Sequence, residues 1–234
     1  MKEELVRPKL KEGPANLNFL REIINSSQEV SANDLRILHH MERYEFVAQK
    51  INEHFGTEPL NILDIGCGLG HGLAVMRQIL TSHINANIYG LDIDDVAICN
   101  ANSLYPDFNF ICEDICDAEL QQKFDVIIFF EVLGNENLKD DLEILTNFNN
   151  LLSENGLVFI SIPSYRNKTP KSYFARLYDQ KSFSTIIKEG FRNRQIIFYG
   201  QMHPVNRDFV LCDNCISEDL FENGDFMIAI IGSG

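Results

Sequence analysis

The sequence predicts an α/β fold built on a parallel sheet. Between residues 60 and 162, short apolar runs alternate with segments whose apolar residues recur at helical spacing. Such alternation builds parallel strands joined by right-handed crossovers. The first apolar run, residues 61–65, stops at a glycine-rich turn that leads into a predicted helix. This strand, turn and helix therefore form the first unit of the sheet.

The turn after the first strand has glycine at every second position: Gly66, Gly68, Gly70 and Gly72. A Cβ atom there would block both the tight turn and the close approach of a ligand to the backbone. The free amides at the start of the following helix favour a carboxylate or a phosphate. The sequence therefore predicts that a small charged cofactor binds at the carboxyl end of the first strand.

The position of the third glycine discriminates between cofactors. A dinucleotide fingerprint requires G-x-G-x-x-G, but the last position of that pattern, counted from Gly66, is His71. The chain has instead D-x-G-x-G-x-G over residues 64–70. This pattern resembles motif I of the class I S-adenosylmethionine-dependent methyltransferases. The resemblance implies that S-adenosylmethionine is the cofactor, that its amino group is oriented by Asp64, and that its amino-acid end is cradled by Gly66, Cys67, Gly68 and Gly70.

The second predicted strand, residues 88–94, ends in acidic residues. Asp92 follows Gly66 by 26 residues, close to the spacing at which a carboxylate binds ribose hydroxyls in nucleotide-binding α/β units. The resemblance therefore implies that Asp92, with Ile93 beside it, contacts the cofactor.

Three later strands agree with the same resemblance in the expected order. Residues 108–115 resemble the third strand, where family members hold the adenine amino group with the terminal acid and its neighbour, here Asp114 and Ile115. Residues 124–133 resemble the fourth strand and its FDxI…EVL ending, and residues 151–163 resemble the fifth.

The resemblance covers roughly residues 36–200. It implies the Rossmann-like fold of class I methyltransferases, a seven-stranded mostly parallel sheet with helices on both faces. Residues 225–231 are the candidate for the last strand, which is antiparallel in this family. The 234 residues are enough for one domain with a three-layer core.

We predict two parts within this chain. Residues 1–56 form an N-terminal arm and helices that cover the active site, with two helices predicted at about 17–26 and 32–55. Residues 57–234 form the Rossmann-like domain. Insertions at 164–180 and 201–223 are expected to close the acceptor pocket as lids.

Methyl transfer from a sulfonium requires alignment, exclusion of water and, for a protonated acceptor, one base. Three residues are candidate bases: Glu131 after the fourth strand, His203 in the second insertion, and His71 in the glycine loop. Each has a structural alternative. Glu131 is alternatively a cap for a helix beginning near residues 135–137, His203 an exposed loop side chain, and His71 a residue packed at a helix start.

Residues 40–46 resemble the H-x-x-R-Y-x-F helix that precedes motif I in methyltransferases of polysaccharide and sugar pathways. The resemblance implies that Arg43 or Tyr44 faces the cofactor or the acceptor; the alternative is an amphipathic helix with Tyr44 in the core. In ubiquinone-type O-methyltransferases the fourth strand ends in E-x-x-E-H, whereas Asn135 holds the histidine position here. This difference argues against quinone or catechol acceptors.

A group of basic residues follows the fifth strand and is either a site for an anionic acceptor or a solvated helix face. Together with the resemblance, it favours methylation of an oxygen on a sugar, a sugar-linked anionic group or a secondary metabolite. The group consists of Arg166, Lys168, Lys171, Arg176 and Lys181.

Composition restricts the other possibilities. The net charge of −14 argues against nucleic-acid binding. No apolar run reaches the roughly 18–20 residues of a membrane span, and the N-terminal segment lacks the apolar region of a secretory signal. The six cysteines are expected to be reduced thiols of a cytoplasmic protein, acting as a monomer or homodimer.

No metal site is predicted. Cys212 and Cys215 form a C-x-x-C, but a tetrahedral site needs a second pair of ligands, and no carboxylate–histidine cluster has ligand spacing. Two functional alternatives stay open: a non-catalytic partner protein that binds the cofactor, and a nicotinamide-dependent oxidoreductase, which His71 in the fingerprint disfavours.

Overall fold

The structure, a computed structural model, describes residues 32–80, 83, 85–164, 174–202 and 216–233. The helices of this part of the chain are α1 (Ala32–His54), α2 (His71–Ile79), α3 (Asp95–Leu104), α4 (Asp141–Leu151) and α5 (Gln180–Gly190). The strands are β1 (Asn61–Ile65), β2 (Asn87–Asp92), β3 (Asn109–Cys112), β4 (Phe124–Phe130), β5 (Leu152–Pro163), β6 (Gln195–Gln201), β7 (Ile216–Ser217) and β8 (Phe226–Gly232). A short 3₁₀ helix, Glu218–Leu220, follows β7.

All eight described strands form one sheet in the order β3-β2-β1-β4-β5-β8-β6-β7. Strands β1 to β5 are parallel, and β8 runs antiparallel between β5 and β6. The predicted Rossmann-like fold with an antiparallel last strand is therefore confirmed. The strand count differs from the predicted seven because two residues of the second insertion, in β7, pair with the end of β6.

The strand order reverses between β1 and β4, so a crevice opens at the carboxyl ends of these two strands. Open parallel sheets bind their ligands at such a switch point. The residues that follow β1, β2, β3 and β4 all lie at this edge, which we call the carboxyl edge of the sheet.

Both faces of the sheet are apolar because helices cover both. Along β4, Val126 and Ile128 pack on the side of α1, α2 and α3. Ile127 and Phe129 pack on the side of α4 and α5. Burying each such side chain contributes about 1.5–3 kcal/mol, which explains why strands covered on both faces appear in the sequence as continuous apolar runs.

The described helix after β4 begins at Asp141, where the side chain of the N-cap residue Asp140 accepts from two backbone amides. A helix beginning near residues 135–137 was therefore wrong, and so was the alternative in which Glu131 caps it. Residues 131–140 instead form a loop at the carboxyl edge.

Helix α1 closely matches the helix predicted over residues 32–55. The predicted helix at 17–26 lies outside the described residues, as do His203, Cys212 and Cys215. Within the described part of the chain, no helix combines the length and apolar character needed to cross a membrane. The division at residue 56 stays a prediction.

Candidate active site

The glycine loop follows β1 directly and has left-handed backbone angles that favour glycine. The φ angles are +79° at Gly66, +52° at Gly68 and +76° at Gly70. A Cβ on Gly66 would lie 2.4 Å from Val132 Cγ2, whereas a Cβ on Gly68 would meet nothing within 4 Å. Gly70 is the N-cap of α2 and provides no side-chain hydrogen bond. The amides of Gly66, Gly68 and Gly70 all donate to groups of the protein, so what the loop offers a ligand is the open space beside Gly68.

Asp92 connects this loop to the end of β2. One carboxylate oxygen, Oδ2, accepts a hydrogen bond from the Gly68 amide at 2.8 Å, and Oδ1 accepts from the Asp94 amide at 3.0 Å. Each oxygen keeps a second lone pair for another donor. The next residue, Ile93, is 56% exposed despite its large apolar side chain. The structure therefore brings the predicted residues Gly68, Asp92 and Ile93 together.

Asp64 is buried within β1 and is only 1% exposed. The Tyr44 hydroxyl donates to its Oδ2 at 2.9 Å, while Oδ1 accepts no hydrogen bond from any residue that the structure describes. Burial raises the pKa of Asp64 to about 7, although the Tyr44 hydrogen bond acts in the opposite direction. Asp64 is thus a buried carboxyl group whose pKa lies well above that of an ordinary aspartate and whose Oδ1 has no described hydrogen-bond partner.

Tyr44 lies in the core, as the second of the two interpretations of α1 predicts. Its ring is buried in the core, and a Cβ added at Gly72 would lie 2.2 Å from its Cζ. Its hydroxyl nevertheless reaches Asp64. Cys67 of the glycine loop is also buried, and this burial raises the pKa of its thiol. The apolar packing of α1 on α2 therefore also sets the position of the acidic residue of the glycine motif.

The remaining predicted residues of the glycine loop and the third strand are placed as follows. Asp114 accepts from the Cys116 amide at 2.9 Å in the turn after β3, and Ile115 is half-buried against the core. His71 Nδ1 lies 2.6 Å from the Tyr105 hydroxyl, and burial lowers the pKa of this histidine. Asp114 and Ile115 follow β3 at the carboxyl edge, whereas His71 is hydrogen-bonded to the residue that ends α3.

Arg43 lies at the centre of a polar network that joins α1 to the carboxyl edge. It is completely buried, with 0% of its surface exposed. One guanidinium nitrogen, Nη1, donates to Gln201 Oε1 at 3.0 Å, and Nη2 donates to Glu131 Oε1. The guanidinium also stacks 4.0 Å from the centroid of the Phe226 ring. Arg43 therefore connects α1 with residues at the ends of β4 and β6 and at the start of β8.

Glu131 is the residue immediately after β4 and has a left-handed backbone, with φ of +59°. Burial opposes its ionisation, but the positive charge of Arg43 acts in the opposite direction, and the pKa of Glu131 is lowered to about 2. A carboxylate with so low a pKa is a weak proton acceptor. This geometry therefore favours a positioning role for Glu131 over the predicted role of general base.

His40 is the fourth member of this network and was not among the predicted site residues. Its Nδ1 lies 2.8 Å from Arg43 Nη2 and 3.2 Å from Glu131 Oε1, and its side chain is 35% exposed. The i, i+3 spacing of His40 and Arg43 puts both on one face of α1. That spacing was the only pattern that indicated His40, and nothing local to β6 indicated Gln201.

The five basic residues predicted to form a group after the fifth strand differ in their surroundings, and three of them lie outside the described residues. Arg176 forms a two-pronged ion pair with Asp141, at 2.8 Å from Nε to Oδ2 and 2.7 Å from Nη2 to Oδ1. It also donates to the Leu138 carbonyl at 2.8 Å. Arg176 therefore anchors the loop after β4 rather than serving as an open anion contact. Lys181 is exposed, and Arg166, Lys168 and Lys171 lie outside the described residues. In the described ranges, no histidine, cysteine or acidic residues cluster as metal ligands would.

Comparison with known proteins identifies related sequences and folds. The methyltransferase domain family matches residues 37–194. Trans-aconitate 2-methyltransferase of Escherichia coli O7:K1 (strain IAI39 / ExPEC) is 29% identical over 102 residues, which is 44% of this chain. The chain spans about 38% of the length of that relative.

Two solved methyltransferases share the fold. The plantazolicin methyltransferase BpumL, in complex with a pentazolic desmethylPZN analog and SAH, has a TM-score of 0.61 at 20% identity, over 93% of this chain and 97% of that one. Magnesium protoporphyrin IX methyltransferase (ChlM) from Synechocystis PCC 6803 with bound SAM has a TM-score of 0.59 at 16% identity, over 94% and 93% of the two chains.

Proposed function

This chain belongs to the methyltransferase domain family of class I S-adenosylmethionine-dependent enzymes, and from that premise we propose that it methylates an acidic oxygen of a small anionic molecule. Candidate acceptors are a sugar-linked anionic group, such as a carboxylate, and a secondary metabolite. The observation that carries the proposal is the ion pair between Glu131 and Arg43 at the carboxyl edge. The family favours methyl transfer over the nicotinamide-dependent alternative.

The residues at the carboxyl edge fit S-adenosylmethionine. The open space beside Gly68 accommodates the amino-acid part, and the unpartnered Oδ1 of the buried Asp64 suits a neighbouring ammonium group. Asp92 has lone pairs for ribose hydroxyls. The exposed side chain of Ile93, with Asp114 and Ile115 after the neighbouring strand β3, suits the flat, partly apolar adenine ring. These four contacts are the assignments that the sequence motifs predicted.

The protein's part in the reaction follows from the charges at the end of β4. The cofactor supplies an activated methyl group on a sulfonium, so the chain must align the acceptor, exclude water and manage the acceptor's proton. Glu131 is held ionised by Arg43 and accepts protons poorly. A carboxylate acceptor, with an ordinary pKa of about 4, requires no base. Arg43 also offsets the repulsion that an unpaired Glu131 would exert on such an anion.

The proposal is tested with matched acceptors at saturating cofactor. Methyl transfer is measured from labelled S-adenosylmethionine to glucuronate and trans-aconitate, and to glucose as the neutral control. We expect transfer to carboxylates only, at a rate that stays constant between pH 6 and pH 9. Transfer to glucose that rises with pH would instead indicate a neutral hydroxyl acceptor and a base such as His203. Cofactor binding without transfer to any small-molecule pool would indicate a non-catalytic partner.

Cofactor binding is expected to depend on pH through Asp64. Its folded pKa of about 7 means that it is mostly protonated at pH 6 and mostly ionised at pH 8. An ammonium group prefers the ionised form, so affinity rises with pH, and S-adenosylhomocysteine should bind about tenfold more tightly at pH 8 than at pH 6. Isothermal titration calorimetry measures this, and Asp64→Asn should abolish the difference. A wild-type affinity that is constant over this range would contradict the assignment.

Two glycine substitutions are expected to separate binding from stability. Gly68→Ala places a methyl group in open space at a cost of about 1–2 kcal/mol for the left-handed backbone, and should weaken S-adenosylhomocysteine binding at least about tenfold. Gly72→Ala drives a Cβ into Tyr44 and should cost about 1–3 kcal/mol of stability. Urea denaturation and calorimetry of both variants test the pair. Normal binding by Gly68→Ala would show that the space is not a ligand site.

A further inference from the structure

His40 is a half-buried histidine whose Nδ1 contacts the ion pair between Arg43 and Glu131. We propose that His40 binds the acceptor, donating a hydrogen bond from its Nε2–H group to a carboxylate oxygen that the substrate presents. The proposal rests on the proposed function above and adds to it the residue that would select an anionic acceptor.

His40 is positioned at the carboxyl edge by its neighbours on α1. It lies one turn before Tyr44, whose hydroxyl contacts Asp64 beside the glycine loop. The rings of His40 and Tyr44 make an edge contact, with centroids 5.3 Å apart. His40 also contacts Glu131, which directly follows β4. The His40 ring therefore contacts both Tyr44, whose hydroxyl reaches the glycine motif, and Glu131 at the carboxyl edge.

The surroundings of Nδ1 determine which nitrogen carries the proton. Arg43 Nη2, at 2.8 Å, can only donate a hydrogen bond. Of the two neutral tautomers, the shorter contact favours the one in which Nδ1 accepts from Arg43 and the proton is on Nε2, since Glu131 lies farther from Nδ1, at 3.2 Å. If His40 takes a second proton, Nδ1 can donate to the ionised Glu131 at 3.2 Å, and Nε2 still carries hydrogen. In both of these states Nε2 carries hydrogen, so it acts as a hydrogen-bond donor and not as a base.

Nε2, the second ring nitrogen of His40, is available for a ligand. No described residue makes a hydrogen bond to Nε2, and the side chain is 35% exposed. A hydrogen bond from a charged donor to Nδ1 polarises the ring and strengthens the opposite N–H as a donor. The charges of Arg43 and Glu131 offset each other. The polarised Nε2–H group of His40 is therefore the part of this network that can bind a ligand. A carboxylate oxygen is its natural partner, since a hydrogen bond to an ionised acceptor is stronger than one to a neutral acceptor.

Nuclear magnetic resonance of ¹⁵N-labelled protein saturated with S-adenosylhomocysteine tests the proposal without activity. Two-bond ¹H–¹⁵N spectra report which ring nitrogen is protonated, and the His40 signals are assigned by their loss in His40→Phe. We expect a protonated Nε2 whose resonance shifts when sodium acetate or trans-aconitate is added but not with ethylene glycol. A neutral ring protonated on Nδ1 would overturn the proposal, as would a resonance that no carboxylate shifts.

Two variants complete the test. His40→Phe keeps a flat ring without a donor, whereas His40→Gln keeps an N–H group near the position of Nε2. In the S-adenosylhomocysteine complex, His40→Phe should bind trans-aconitate about tenfold more weakly than wild type, and His40→Gln within about threefold of it. Both should retain wild-type affinity for S-adenosylhomocysteine. Equal loss of cofactor affinity in both variants would overturn the acceptor role, while failure of wild type to bind S-adenosylhomocysteine would instead overturn the proposed function.

Discussion

Replacing Arg43 with methionine is expected to lower the free energy of unfolding by about 3 kcal/mol. The variant leaves Glu131 and the buried Gln201 without their donor and removes the guanidinium that stacks on Phe226. Methionine fills much of the same volume, so the loss reports the polar contacts rather than a cavity. Urea denaturation monitored by circular dichroism measures the change.

Lys50→Met is the matched control on the same helix. Lys50 pairs with Glu53 at the surface, and an exposed pair of this kind contributes less than about 1 kcal/mol. A second variant, Arg43→Met with Glu131→Gln, removes the unpaired charge and should recover part of the lost stability. Equal effects of Arg43→Met and Lys50→Met would contradict the central role assigned to Arg43.

The same ion pair predicts how stability changes in acid. The folded pKa of Glu131 is about 2, below its ordinary value of 4.5, so the unfolded state takes up the proton first as the pH falls. The contribution of Glu131 is therefore complete above about pH 5 and is lost progressively as the pH falls toward 2. In Arg43→Met this acid-dependent part of the unfolding free energy should largely disappear, because the main cause of the low pKa has been removed.

The second large effect is expected at Asp92. Asp92→Ala should weaken S-adenosylhomocysteine binding by about 100-fold or more, because one carboxylate serves two purposes. It holds the Gly68 amide in place and is the proposed ribose contact. Hydrogen bonds to a charged group contribute about 1.5–3 kcal/mol each, and about 1.4 kcal/mol corresponds to a tenfold change in affinity.

Asp95→Ala is the control for charge, since this aspartate is exposed at the start of the adjacent helix α3. It should bind S-adenosylhomocysteine as wild type does. Thermal unfolding of both variants in the absence of ligand separates lost binding from lost structure. Asp92→Ala that binds within about threefold of wild type would remove the ribose assignment and with it the main support for the position of the nucleoside.

Local patterns predicted most of the fold. The helix expected at 32–55 is observed at Ala32–His54, and the last strand expected at 225–231 is observed at Phe226–Gly232. These elements have clear periodicity, and the glycine motif fixes its own turn because its residues are contiguous. The position of the Asp92 carboxylate near this turn could also be predicted, because parallel strands end at one edge of the sheet.

The network around Arg43 could not be predicted because its members are distant in sequence. Gln201 is 158 residues from Arg43, and no spacing rule connects a strand end with a helix that far away. The low pKa of Glu131 depends on its contact with Arg43. The sequence therefore suggested a base at a position where the structure holds an ionised carboxylate. The helix expected near residues 135–137 failed because Asp140 provides the N-cap instead.

The long sequence separation within this network also has a consequence for synthesis. Arg43 leaves the ribosome 158 residues before Gln201, an interval of about 10–30 s at 5–20 residues per second. During that time α1 has neither its glutamine partner nor Phe226 against which to stack, and the arginine remains in water. The nascent chain therefore completes the network around Arg43 only when β8 has been added to the sheet.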